Sequence, residues 1–564
     1  MKETIYMKND LVILNFSKEY LNNNQEIVNS KGFYLLVNKY LQNLENHNPQ
    51  LFSQIIGCTT IDMLSVELVK LTRLLLVFGL DEIDHPLIRQ RDLLLYLVED
   101  IYNYWRKIQR FSILYAGSGK DIQLVNFIES DSKFNSLIIN FYRTIQEKVI
   151  GHKNHIYRQL HAGTNGSIVL RDYHIDVPSG YEKLRKIPFI DSIMMRTPLI
   201  LTPKSNKREG SFVEVFENPI NTWDYDSDKW MIYPCYVGAS LCFLYFDRDY
   251  LSSVVALSNL FELASDIDCI KQQPDLVVIF GNKDDLDQNV FYQDKANDMI
   301  IASLSHSPKI EYFGYLKKIC LTLHNVRMIN KKQLPLHGAM VKVTFKNGIT
   351  KGMVLIGDSG AGKSETIETI QQVASEQIAN IDIIFDDMGT LNIVDGKIKA
   401  CGTEIGAFVR LDDLDKGSAY KDMDRSIFFN PSSINSRVVL PVATYQLIRE
   451  YHDVDMFLYA NNYTDTDGLR RFDNIEEAKQ TFINGFRNAK GTTDEKGLTN
   501  TFFANPFGPM QLEEETRVII DHMFEKMNSE DIFIGEVYTH LGLKDYSEKL
   551  KLAANSILDV INHG

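Results

Sequence analysis

Residues 353–370 read Met-Val-Leu-Ile, then Gly357-Asp358-Ser359-Gly360-Ala361-Gly362-Lys363-Ser364, then Glu-Thr-Ile-Glu-Thr-Ile. An apolar strand, a glycine-rich turn and the start of a helix follow one another. The turn fits G-x-x-x-x-G-K-[ST], the phosphate-binding P-loop. Glycines let the backbone curl until successive N–H groups point at one anion, and the helix N-terminus adds partial positive charge. In that pattern Lys363 reaches the β- and γ-phosphates and the Ser364 hydroxyl ligates a divalent ion. The plainer alternative is a glycine-rich β–α turn that binds nothing. A second glycine-rich stretch, Ala116-Gly117-Ser118-Gly119-Lys120, lacks the first glycine and continues with Asp121, so it reads as an ordinary loop.

A chain of 564 residues is too long for one core and predicts two to four domains. Its 44% hydrophobic and 24% charged residues are those of an ordinary globular protein. A net charge of −14 argues against nucleic acid or an anionic membrane as the main partner. The six cysteines (58, 235, 242, 269, 320, 401) are scattered without C-x-x-C or zinc-finger spacing. The first ten residues have no apolar stretch of secretory type. Together these predict reduced thiols and a cytoplasmic protein. The most apolar window, 61–80, carries Asp62, Glu67, Lys70 and Arg73, which predicts a buried amphipathic helix and no membrane span.

Residues 1–150 predict a mainly helical region, with apolar steps of three and four through 32–45, 61–80, 92–108 and 134–150. No chemical constellation stands out there, which leaves packing, dimerisation, a lid or contact with a protein partner as its roles. Residues 151–335 predict a mixed α/β domain, from short β-type runs such as Gly166-Ser-Ile-Val-Leu and Asp275-Leu-Val-Val-Ile-Phe. Residues 336–564 form a third region holding the P-loop, with helices expected at about 511–528 and 545–562. In it the run Ile381-Asp-Ile-Ile-Phe ends in Asp386-Asp387. A carboxylate at such a strand end can hold the Mg²⁺ that bridges nucleotide phosphates; the alternative is a solvated strand terminus. Taken singly, His337 in Leu-Pro-Leu-His-Gly reads as a core histidine, Lys317-Lys318 as a wet helix face and Arg437 as an edge-strand arginine.

Taken together, these pieces resemble the phosphoenolpyruvate carboxykinase family, in particular its ATP-dependent branch. Tyr312-Phe-Gly-Tyr-Leu-Lys317-Lys318 is similar to the family's Y-x-G-x-x-K-K segment. His337 follows Lys318 at the family's spacing, 337 − 318 = 19. The P-loop, the Asp386-Asp387 pair and Asn435-Ser436-Arg437-Val-Val-Leu-Pro441 come next, in the family's order. Pro274–Gly281 looks like the strand before the lysine segment, and Phe486–Gly508 looks like the nucleotide-base loop. The resemblance covers roughly 190–564 and implies a two-domain α/β core with a P-loop, to which residues 1–150 are a helical extension.

The resemblance implies these roles. Lys318, His337 and Asp387 would ligate Mn²⁺, and Ser364, with Asp386 nearby, would serve the Mg²⁺ of ATP. Lys363 and the loop Gly357-Asp358-Ser359-Gly360-Ala361-Gly362 would hold the phosphates. Arg437 would neutralise the transferring phosphoryl group, and Tyr312 would contact oxaloacetate or phosphoenolpyruvate. The chain also departs from the family. Its loop ends Gly-Lys-Ser-Glu, which looks more like that of HPr kinase/phosphorylase. Phe408 stands where a second phosphate-contacting lysine is expected, with Arg410 two residues on, and Lys496 replaces an arginine of the base loop. The substrate-binding arginine has three candidates, Arg158, Arg196 and Arg208. The expected activity is conversion of oxaloacetate and ATP to phosphoenolpyruvate, ADP and CO₂. The rivals are a kinase of the same fold acting on a protein or small-molecule hydroxyl, and a non-catalytic nucleotide-binding regulator.

Overall fold

The computed structural model describes residues 2–57, 59–117, 124–154, 156–157, 161–203, 212–224, 226–284, 288–411, 426–430, 436–490, 496–541 and 546–563. It is a mixed α/β protein with two compact units. One comprises Met1–Tyr173, Pro188–Arg196 and Ser227–Lys229; the other comprises His174–Ile187, Thr197–Asp226 and Trp230–Gly564. Among the described residues no helix is long and apolar enough to cross a membrane.

In the first unit the apolar periodicity matures into helices Lys31–His47, Ile61–Val77, Arg91–Lys107 and Leu124–Ile150. Ser30 and Thr60 cap two of them by accepting from Phe33 and Met63 amides. Leu41, Leu75, Leu97 and Val149 lie in their shared core. The region also contains strands that its helical periodicity does not announce. Ile5–Lys8 pairs antiparallel with Leu11–Asn15, which runs parallel to Gln109–Tyr115, itself parallel to Gly166–Arg171. Phe189–Met195 closes this set antiparallel to Gly166–Arg171. The Leu11-Val-Ile-Leu run is too short to display a period, and Gln109–Tyr115 begins two residues after a helix, so its apolar residues merge with the helical pattern.

The second unit contains two larger sheets. One runs Trp230–Val237, Ser240–Asp247, Leu276–Asn282, Met299–Ser305, Asn289–Asp294 and Val213–Glu214 in neighbour order. The other is built around the histidine strand, Leu334–Phe345, and the P-loop strand, Thr350–Ile356, which pair antiparallel. The P-loop strand continues parallel into Met456–Asn461 and Phe533–Tyr538. On its other edge the histidine strand pairs with Ile378–Phe385 and then Met388–Val394, with Asp386-Asp387 between the two.

This parallel centre is buried on both faces, which explains its unbroken apolar runs. Val354, Ile356, Phe457 and Tyr459 pack with Phe482, Met523 and Phe524 on one side. Met353, Leu355, Met456 and Leu458 pack with Ile367, Ile370 and Ile557 on the other. The expected helices near 511–528 and 545–562 are Glu513–Ser529 and Tyr546–His563. A smaller sheet orders Gly406–Arg410, Arg437–Pro441, Ile427–Phe429 and Leu199–Leu201.

Candidate functional site

The P-loop strand ends by placing the Gly357 amide on the His337 carbonyl, 3.2 Å away. The chain then turns tightly, with the Ala361 amide donating to the Asp358 carbonyl at 3.1 Å. Gly360 and Gly362 sit at φ +82° and +96°, a region closed to most side chains. At Gly362 a Cβ would also lie 2.6 Å from that of Thr539. The helix Lys363–Val373 starts directly after Gly362, which has no side chain to cap its first amides. Those donors therefore face the turn, as an anion cradle requires. Lys363 is buried and its ammonium donates to the carbonyls of Gly357 (2.7 Å) and Asp358 (3.3 Å). Ser364 Oγ donates to Asp386 Oδ1 at 2.9 Å.

Asp358 does different work from its loop neighbours. Its carboxylate turns to Arg487 Nε (2.9 Å), Thr501 Oγ1 (3.2 Å) and its own next amide, Ser359 N (2.7 Å). It thereby ties the loop to the hairpin of Phe486–Lys490 and Lys496–Asn500. Asn462 makes a second tie, donating to the carbonyls of Gly360 and Asn488, both at 3.0 Å. Burial alone would raise the Asp358 carboxyl, but His337 and Arg487 outweigh it and hold it low.

Beside the loop, His337 Nε2 lies 3.1 Å from Asp387 Oδ1, while its Nδ1 lies 2.9 Å from the Ala504 carbonyl. The Ala504 carbonyl can only accept, so Nδ1 carries a proton and Nε2 is the nitrogen that faces Asp387. The Asp387 carbonyl accepts from Gly338 N at 3.0 Å, which fixes the aspartate next to the histidine across the strand pair. Gly338 is required there, since a Cβ would stand 2.4 Å from the Leu355 carbonyl oxygen.

Lys317 pairs with Asp387 at 2.5 Å. Lys317 is 1% exposed and also pairs with Glu404 at 2.9 Å. Burial would lower its ammonium, but Asp387 and Glu404 outweigh that and hold it protonated, so as placed it is a countercharge and not a neutral ligand. The Lys318 ammonium lies over the Phe507 ring, 4.2 Å from its centroid, and Phe507 packs edge-on to His337. Lys318 still acts on Asp387 through space.

The two adjacent aspartates are driven apart. Asp386 is pushed up to about 6, chiefly by burial, with Ser364 and Lys363 opposing and Asp387 adding to the rise. Asp387 resists its own burial because Lys317 and His337 hold it well below the usual carboxylate range. Burial lifts Glu404 to about 7 against the pull of Lys317. His337 Nε2 and Asp387 Oδ1 have the separation of neighbouring ligands on a small divalent ion, about 3 Å when bonds are near 2.1 Å. An imidazole beside a carboxylate is a donor pair of the kind transition metals take, whereas the hydroxyl and carboxylate oxygens at Ser364 and Asp386 are of the kind hard cations take.

Tyr312 precedes the Phe313–Asn330 helix and is buried, its ring 6.3 Å from Phe408. Phe408 also receives Lys317 and Arg437, each 5.8 Å from its centroid. Arg437 stands opposite Arg410 across the strand pair. Arg196 is in the first unit, where its guanidinium donates to buried Asp131. Arg158, Arg208, Asn435, Gly491 and Lys120 lie outside the described residues.

Sequence reasoning missed Lys317's role, Glu404 and Arg487. It also missed Asp247, Asp249 and His306, whose ligand-type atoms lie within 4.8 Å of one another. There Asp247 pairs with Lys283 (2.7 Å) and caps a turn at Asp249 N, and Asp249 shares a hydrogen bond with His306 (3.0 Å), so all three side chains already have partners within the fold. Compared with known proteins, the chain matches no family profile and no curated sequence.

Proposed function

We propose that this chain is a cytoplasmic ATP-dependent phosphoenolpyruvate carboxykinase, or a close homologue, with a carboxykinase-like two-domain core. The observation that carries this reading is the convergence of Lys317, His337 and Asp387, one residue along from the Asp386 that meets Ser364 of the P-loop. A hydroxyl kinase has no need of a histidine–aspartate–lysine group beside its magnesium site.

In this account Lys363 and the loop amides hold the β- and γ-phosphates of ATP, with Ser364 and Asp386 on its Mg²⁺ side. His337 and Asp387 would hold Mn²⁺, which when bound supplies Lewis-acid stabilisation of oxygen charge. Oxaloacetate loses CO₂, leaving the electron pair as an enolate. Lys317 and Lys318 add positive charge where that oxygen charge develops. The enolate oxygen then attacks the γ-phosphorus, the bond to the ADP oxygen breaks, and Arg437 offsets charge on the group in transit. Tyr312 contacts the substrate carboxylate region. The family resemblance counts Lys318 as the metal-ligating lysine; Lys317, which pairs with Asp387 and is held charged, serves as a countercharge, and His337 and Asp387 are the two ligands retained.

A second reading has its own support. Asp386, raised to about 6 beside the P-loop serine, suits a general base for a protein or small-molecule hydroxyl. Phe408 in place of a lysine, and Arg196 engaged with Asp131, favour the same alternative. Purified protein incubated with Mn²⁺, Mg²⁺, oxaloacetate and, separately, ATP, GTP or pyrophosphate separates the two. The carboxykinase reading expects phosphoenolpyruvate with ATP. Clear ATP binding without product from any donor supports the hydroxyl kinase or the non-catalytic regulator instead.

A further inference from the structure

The first unit contains an apolar pocket of about 140 Å³, open to solvent on one side. Phe16, Phe33, Trp105, Phe134, Phe141 and Ile138 supply much of its wall. The rings brace one another: Phe16 meets Phe134 edge-on at 5.4 Å, and Phe33 meets Phe141 at 5.3 Å. Such interlocked aromatic walls do not collapse into a void, and ordinary protein interiors close gaps larger than a water molecule.

Three of the polar lining residues are already engaged. Ser30 Oγ accepts from Phe33 N and donates to the Ile27 carbonyl. Thr72 Oγ donates to the Leu68 carbonyl, and the Tyr142 hydroxyl donates to Glu99. A polar guest entering beside these groups loses water without gaining partners, whereas an apolar guest loses nothing. Among the described lining residues the one charged side chain is Glu19, which is solvent-exposed and repels an anion at the rim. An apolar cavity of about 150 Å³ stays dry and accepts a benzene ring.

We propose that this cavity is a binding site for a small, uncharged, apolar molecule of about one aromatic ring. It gives the N-terminal region a ligand-binding role independent of the P-loop.

The test uses the full-length protein and toluene, followed by saturation-transfer NMR and by tryptophan fluorescence. Toluene should bind saturably below millimolar concentration, with a fluorescence change that Trp105→Phe removes. Benzoate, the same ring bearing a carboxylate, should bind at least tenfold more weakly. Ile138 and Val98 both line the pocket, so Ile138→Trp and Val98→Phe each place extra volume in it and should weaken toluene at least tenfold, with circular dichroism unchanged. Should the tryptophan variant misfold, the smaller Val98→Phe change carries the comparison. A non-saturating toluene signal, equal binding of benzoate, or unaltered toluene affinity in a folded filling variant overturns the proposal.

Discussion

Lys317 and Asp387 stand 70 positions apart in the chain and 2.5 Å apart at their charged atoms. With Glu404 on the same ammonium, one buried cation holds two carboxylates in place. Removing it strands the Asp387 charge in a low-dielectric setting, while Glu404, already lifted to about 7 by burial, shifts further toward its neutral form. Lys317→Ala should therefore destabilise the second unit by about 3–5 kcal/mol. Lys318→Ala removes an ammonium from the face of Phe507 and should cost about 1–2 kcal/mol. Urea denaturation of both variants checks the ranking; a larger loss at Lys318 would reverse the assignment of the two lysines.

Lys363 illustrates the other half of the site. Its ammonium bonds to the loop's own carbonyls, within the turn where phosphates would bind. Lys363→Ala should reduce ATP-dependent turnover by at least about 100-fold. Mn²⁺ affinity should change little, because His337 and Asp387 are not touched. Parallel kinetic and metal titrations read both quantities.

The Asp358–Arg487 pair predicts a link between the P-loop and the hairpin that follows it. Asp358→Asn removes the charge while keeping the shape, and takes one carboxylate away from a buried guanidinium. A loss of about 1–3 kcal/mol should appear as faster amide exchange in Phe486–Lys490 and Lys496–Asn500, together with weaker MgATP binding. Unchanged exchange in both strands would mean the hairpin is held by other contacts.

His324, two turns along the helix from Lys317, carries a pH signature of its own. Burial pushes its imidazole from 6.5 down to about 4, against a weaker opposing pull from Asn325. Between those values the unfolded chain takes a proton that the folded protein refuses, so stability falls as pH falls through that window. The full effect is about 3 kcal/mol. His324→Gln should flatten the fall in urea midpoint between pH 7 and pH 4.5; an identical slope in both proteins contradicts the assignment.

The legible parts of this molecule are those where local chemistry dictates geometry. Gly360 and Gly362 occupy left-handed backbone because the turn demands it, so strand, loop and helix at 353–370 are visible in the chain itself. The amphipathic helices of the first 150 residues are visible because their buried faces repeat every three to four residues. Lys317 and Lys318 are harder to tell apart. Neighbours on a helix point about 100° apart, and which one faces Asp387 depends on how the helix sits against the sheet. Glu404 gives no signal of its own, since nothing in Gly-Thr-Glu-Ile-Gly says that Lys317 will be its partner. Arg487 likewise looks like a strand arginine until Asp358 is placed beside it.

Electron paramagnetic resonance of Mn²⁺ titrated into the full-length protein tests the central claim most directly. The wild type should show one tight site, lost or weakened at least tenfold in both His337→Ala and Asp387→Asn, with MgATP binding retained. No tight site in the wild type, or an undiminished one in both variants, would contradict a metal centre beside the P-loop and with it the carboxykinase reading.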